Sequence, residues 1–217
     1  TGAEASASNI LIEGNANVDA NGGNSLGAGI GGGRSSKDVS ITIRGSATVN
    51  AVGGKSGGAG IGSGQVGKGK NTISIGGNAK VTAVGGSDSA GIGTGGHFFG
   101  DETTITITGG TITAIGGKGA AGIGANKGDL NLTINGSTGK TDIRAITDGS
   151  IAIGKKGDEE DNALLKYNED HTSLFGEIRS VVARLFHGSA LYKTVHNMTY
   201  VKDTTGDRQL HDWNLVE

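Results

Sequence analysis

The stretch ITITGGTITAIGGKGAAGIG, residues 105–124, decides the fold. Its first half alternates twice: Ile105 and Ile107 flank Thr106, then Ile112 and Ala114 flank Thr113. Alternation with period two marks a strand with one buried face. Gly109-Gly110 separates the two runs, and Gly116-Gly117 leads on to a third apolar point in the tetrad Ala121-Gly122-Ile123-Gly124. Glycine pairs of this kind are turn signals.

The pattern recurs upstream. The tetrad stands at Ala28–Gly31, Ala59–Gly62 and Ala90–Gly93, in steps of 31 residues, and a degenerate copy ends at Ala152-Ile153-Gly154. The first alternating run is repeated around Ile10-Leu11-Ile12, Ile41-Thr42-Ile43, Ile73-Ser74-Ile75 and Leu132-Thr133-Ile134. The second is repeated around Val18-Asp19-Ala20, Val49-Asn50-Ala51, Val81-Thr82-Ala83 and Ile143-Arg144-Ala145. Self-similarity at such a period reads as a solenoid whose coils bury their apolar residues only by stacking.

Three short strands per coil predict an all-β fold, a right-handed parallel β-helix of about five rungs. Equivalent strands would lie about 4.8 Å apart, in a prism about 24 Å tall. Length variation falls in polar joints at residues 34–38, 65–71 and 95–102, which read as surface loops. A stack of hairpins or a propeller is the rival, but propeller blades run longer and carry aromatic signatures absent here.

Composition agrees with rungs rather than one round core. Glycine supplies 44 of 217 residues, hydrophobic residues 34% and aromatics 4%. The 19 basic and 21 acidic residues leave no basic footprint of the kind a nucleic-acid binder carries. No apolar stretch approaches the length of a membrane-spanning helix. Cysteine is absent, which removes disulfides and thiolate metal sites.

Composition changes near Gly157, which divides the chain into a repeat domain over residues 1–157 and a C-terminal element over 158–217. Six of the eight aromatic residues and four of the five histidines lie in the second part. Leu174, Ile178, Val181 and Leu185 recur at helical spacing, with Phe175, Val182 and Phe186 on the same broad face, so an amphipathic helix is expected within a small α+β cap. Such a helix would cover the last rung or, through Ile178 and Val182, dock a protein partner. Strand signals follow from Tyr192 to Val201.

Several motifs carry no chemistry on inspection. Residues 62–68 match most of a phosphate-binding loop, yet Gly69 stands where a Ser or Thr should hold magnesium and no helix pattern follows. His171, His187, His196 and His211 lack a zinc spacing. Asp142, Arg144 and Asp148, and the acidic run Asp158–Asp161, form no acid–base constellation, so no catalytic residue is assigned. No cofactor is expected, and calcium is the one ion left open.

Stacked outward columns are the better candidates, because a solenoid presents equivalent positions as one surface. One reads Asp19, Asn50, Thr82, Thr113 and Arg144, and beside it stands Asn17, Thr48, Lys80, Thr111 and Asp142. Thr42, Ser74, Thr106 and Thr133 form a column on the first strand. Short hydroxyl and amide groups at regular spacing suit the hydroxyls of an extended polysaccharide, and Phe98 and Phe99 form the one aromatic cluster of the solenoid. Gly29, Gly60, Gly91 and Gly122 are expected to leave a bare outer face, which signals either close backbone approach by another layer or partner, or a corner needing positive φ.

With these residues the chain resembles the glycine-rich repeats common in extracellular and cell-surface proteins of gut bacteria, which are similar to the pectate-lyase-like β-helix group. That resemblance spans residues 7 to about 154. It implies a secreted or surface-exposed bacterial protein, and some members of the group are non-catalytic carbohydrate-binding modules. The expected function is therefore non-enzymatic adhesion or binding of a polysaccharide or host glycan, with no nucleic-acid partner and no transmembrane segment. A protein-interaction scaffold or secreted effector module, docking through the tail helix or the glycine face, is the second expectation. A polysaccharide-active enzyme and an ice-binding face, the latter from Thr-x-Thr spacing, are further alternatives.

Overall fold

A computed structural model describes residues 6–97, 102–134, 141–147 and 153–155, together with strands at 165–167, 172–177, 181–187, 191–195, 198–202 and 214–215. The alternating runs form strands that stack parallel in three sheets. Sheet A holds β1 (Ser6–Ile12), β4 (Lys37–Ile43), β7 (Lys68–Ile75), β10 (Glu102–Ile107) and β13 (Asp129–Ile134), followed by β16 (Leu165–Tyr167). Sheet B contains β2 (Asn17–Asn21), β5 (Thr48–Val52), β8 (Lys80–Val84), β11 (Gly110–Ile115) and β14 (Thr141–Thr147). The tetrads supply sheet C: β3 (Ile30–Gly31), β6 (Ile61–Gly62), β9 (Ile92–Gly93), β12 (Ile123–Ala125) and β15 (Ile153–Lys155). Each coil runs A to B to C and then steps up, so the fold is the expected parallel β-helix.

Like stacks on like. Ile41, Ile73, Ile105 and Leu132 follow one another in sheet A, and Val49, Val81, Ile112 and Ile143 in sheet B. Ile61, Ile92 and Ile123 meet them from sheet C. All are buried, each contributing about 2 kcal/mol by removal from water. The second inward position of sheet B is alanine in every coil, at Ala20, Ala51, Ala83, Ala114 and Ala145, where sheet C approaches closely.

That approach explains the tetrad glycines. A Cβ on Gly29, Gly60, Gly91 or Gly122 would lie 2.6–2.7 Å from the backbone of Val52, Val84, Ile115 or Ile146 respectively, atoms of sheet B one coil on. Gly60, Gly91 and Gly122 are buried. Of the two expectations, close approach by another layer holds: that layer is the chain's own next coil, so Gly60, Gly91 and Gly122 do not form a bare outer face. Positive φ belongs instead to the glycines two residues on, Gly31, Gly62, Gly93, Gly124 and Gly154, at 131–150°.

A second left-handed column lies in the turn from sheet C to sheet A. Ser35, Val66, His97 and Gly128, again 31 residues apart, have φ of 58°, 52°, 53° and 79°. Between β4 and β7 the register shifts at Lys37 and Val39, which accommodates the extra residue of β7.

The tail differs from the helical expectation. The described residues there form β17 (Thr172–Glu177) and β18 (Val181–His187), an antiparallel pair, and β18 pairs antiparallel with β14. The physical reason is the open edge of sheet B, whose unpaired N–H and C=O groups a strand can satisfy and a helix cannot. Leu185 and Ala183 stand in register with Ile143 and Ala145. Ile178 lies outside the described residues, and Val182 pairs with Ile146. Three further strands, β19 (Leu191–Val195), β20 (Met198–Lys202) and β21 (Asn214–Leu215), make an antiparallel sheet. Among the described residues no helix is long and apolar enough to cross a membrane.

Candidate functional site

Sheet B carries the candidate site on its outer face. Parallel register brings Asp19, Asn50, Thr82, Thr113 and Arg144 into one unbroken column, one residue per coil. Asn17, Thr48, Lys80, Thr111 and Asp142 stand beside them in a second column. The inward Val or Ile before each site residue and the Ala after it fix the direction in which it projects. Asp19, Asn50, Thr82 and Arg144 are exposed, while Thr113 is half-buried.

Within the first column Asn50 Nδ2 donates to Asp19 Oδ1 at 2.7 Å. The amide carbonyl of Asn50 and the hydroxyls of Thr82 and Thr113 remain for a ligand. Charge is confined to the column ends, at Asp19 and Arg144.

A third column was missed in the sequence. Val52, Val84, Ile115 and Ile146 follow Asn21 in register on the same outer face. Val52 is 38% exposed and the other three half-buried. The signal was present, since VNAV, VTAV, ITAI and IRAI each end on an aliphatic residue one step past the inward alanine, where alternation points outward. The backbone of these residues meets the tetrad glycines. The outer face is therefore amphipathic: polar, polar and aliphatic columns side by side.

Sheet A presents a plainer surface. Thr42, Ser74, Thr106 and Thr133 stack in register above Leu11, which is 55% exposed. One salt bridge lies just past the strand ends and another joins register partners within the sheet. Arg44 Nε donates to Glu13 Oε2 at 2.8 Å, and Lys70 Nζ lies 3.5 Å from Glu102. Asn131 Nδ2 also donates to Glu102.

Of the remaining expected site residues, Val182 pairs with Ile146 and Ile178 lies outside the described residues. Phe98 and Phe99 lie outside the described residues, next to His97. Among the described residues no group of three or more His, Cys, Asp or Glu side chains is placed to hold a metal ion.

The family model described as Beta helix repeat matches residues 10–34, 41–65 and 105–128. Each matched segment runs from a sheet A strand through sheet B to sheet C, which is one coil of the prism. No curated protein and no solved structure matches the chain. Matched repeats and coils coincide in the parallel ladder, so over these three segments the chain is similar to β-helix repeats and its fold is a parallel β-helix.

Proposed function

We propose that the outer face of sheet B binds an extended, neutral polysaccharide lying along the prism axis, without catalysing its cleavage. The observation that carries this reading is the in-register alignment of Asn50, Thr82 and Thr113 beside Val52, Val84 and Ile115. A pyranose ring has hydroxyl edges and faces made of C–H groups, and the two columns offer one surface to each. Successive coils repeat about every 4.8 Å, close to the length of one ring in an extended chain, so each coil would meet one sugar. The aliphatic stripe would take the C–H faces while the amide and hydroxyl column fixes orientation by hydrogen bonds.

We further read the protein as a bacterial extracellular or cell-surface module serving adhesion or glycan capture. The resemblance to glycine-rich repeats of the pectate-lyase-like group supports this placement.

The test is a glycan array probed with and without calcium, using the intact chain and an Asn50→Ala/Thr82→Ala/Thr113→Ala variant checked for folding by circular dichroism. Saturable binding lost in the folded variant supports the reading. Absence of binding in both conditions overturns it and favours a protein-interaction scaffold.

A further inference from the structure

One inward column of sheet A is polar at its centre. Register stacks Val39, Asn71, Thr103 and Leu130 through four successive coils. All are buried, with Asn71 at 1% and Thr103 at 0% exposure. Asn71 Nδ2 donates to the carbonyl of Gly93 at 2.9 Å and so ties sheet A to sheet C across the interior. Its Oδ1 and the Thr103 hydroxyl find no hydrogen-bond partner in the protein.

These two atoms belong together. They sit on directly paired residues of adjacent parallel strands, with backbones about 4.8 Å apart. Val39 below and Leu130 above close the column to bulk solvent, and Asn71 and Thr103 are its two smallest side chains. A buried amide oxygen and a buried hydroxyl left unpaired both penalise the fold, and native interiors avoid this by pairing such groups or hydrating them.

We propose that a single internal water molecule bridges Asn71 Oδ1 and Thr103 Oγ1 between the third and fourth coils. The water donates to the amide oxygen, which only accepts, and shares a second hydrogen bond with the hydroxyl, which serves as donor or acceptor. A cation is the poorer occupant, because both oxygens are neutral and Asn71 and Thr103 lie between Val39 and Leu130, with no carboxylate in the column to offset its charge. Buried waters of this type hold together polar groups that their surroundings cannot pair directly.

High-resolution diffraction from the full chain and from Thr103→Val tests this. The expected result is an ordered solvent peak within hydrogen-bond distance of both oxygens in the parent, displaced or lost in the isosteric variant, whose Tm falls by a few degrees. A parent structure in which Thr103 Oγ1 bonds directly to Asn71 or to a backbone carbonyl, with no solvent peak, overturns the proposal. Water-to-protein NOEs at the Asn71 side-chain amide supply the same decision in solution: a long-lived cross-peak supports the water, and its absence overturns it.

Discussion

Asn50 and Asp19, 31 residues apart in sequence, occupy the same outward position of neighbouring coils, and the amide of the first donates to the carboxylate of the second at 2.7 Å. The bond is exposed, so it contributes little to stability, but it orients Asn50. Its N–H is engaged toward the lower coil.

Asp19→Ala should therefore cost less than about 1 kcal/mol in chemical denaturation, as an exposed charge-assisted contact does. Its larger effect is on binding geometry. Freed to rotate, Asn50 becomes a less selective contact, so the variant is expected to keep glycan binding while discriminating less among epimers on the array.

The aliphatic column gives a sharper test. Val84→Ser with Ile115→Ser changes two half-buried outer residues whose backbones carry the fold, so the expected loss of stability is modest, about 1–2 kcal/mol. Oligosaccharide binding should weaken by about tenfold or more, corresponding to loss of roughly 1.4 kcal/mol or more of apolar contact. Titration calorimetry with a length series measures it, and affinity that does not rise with chain length would contradict one ring per coil.

Two glycines with opposite surroundings separate packing from backbone freedom. Gly91→Ala drives a methyl into the backbone of Ile115 and should destabilise by at least about 2 kcal/mol. Gly23 has φ 66° and open space where a Cβ would stand, with nothing within 4 Å, so alanine there incurs only the left-handed penalty of about 1 kcal/mol. Thermal melts of the two variants should rank in that order.

Val66 is β-branched at φ 52°, a conformation such residues rarely adopt. Val66→Asn is expected to stabilise the protein by about 1 kcal/mol, since asparagine tolerates this region. A raised Tm with unchanged far-ultraviolet circular dichroism is the anticipated result.

The strand columns were legible because two independent periods, 31 residues and two, agree on them. Asp19, Asn50, Thr82, Thr113 and Arg144 could be aligned from the residues alone. For Gly29 and its equivalents close backbone approach was legible as one alternative, but which layer approaches was not, because a two-residue strand offers no alternation from which to infer direction. Leu174, Val181 and Leu185 fit a helix by spacing, yet the deciding fact was the unpaired edge of β14, which lies outside that segment. Nothing in Ser35, Val66 or His97 announces a left-handed backbone. Only their stacking above one another, with Gly128 as the residue best suited to the position, reveals what the turn demands.

The stacked glycines at 31, 62, 93 and 124 have a consequence for how such a chain changes length. A Cβ on any of them would run into the carbonyl of its counterpart in the following coil. An inserted segment is therefore tolerated when it brings its own glycine at that place and returns the following residues to the same phase. Whole coils meet that condition and fragments do not. Growth or shrinkage of the prism should thus proceed by duplication and deletion in units of one turn, with the polar joints absorbing the residues left over.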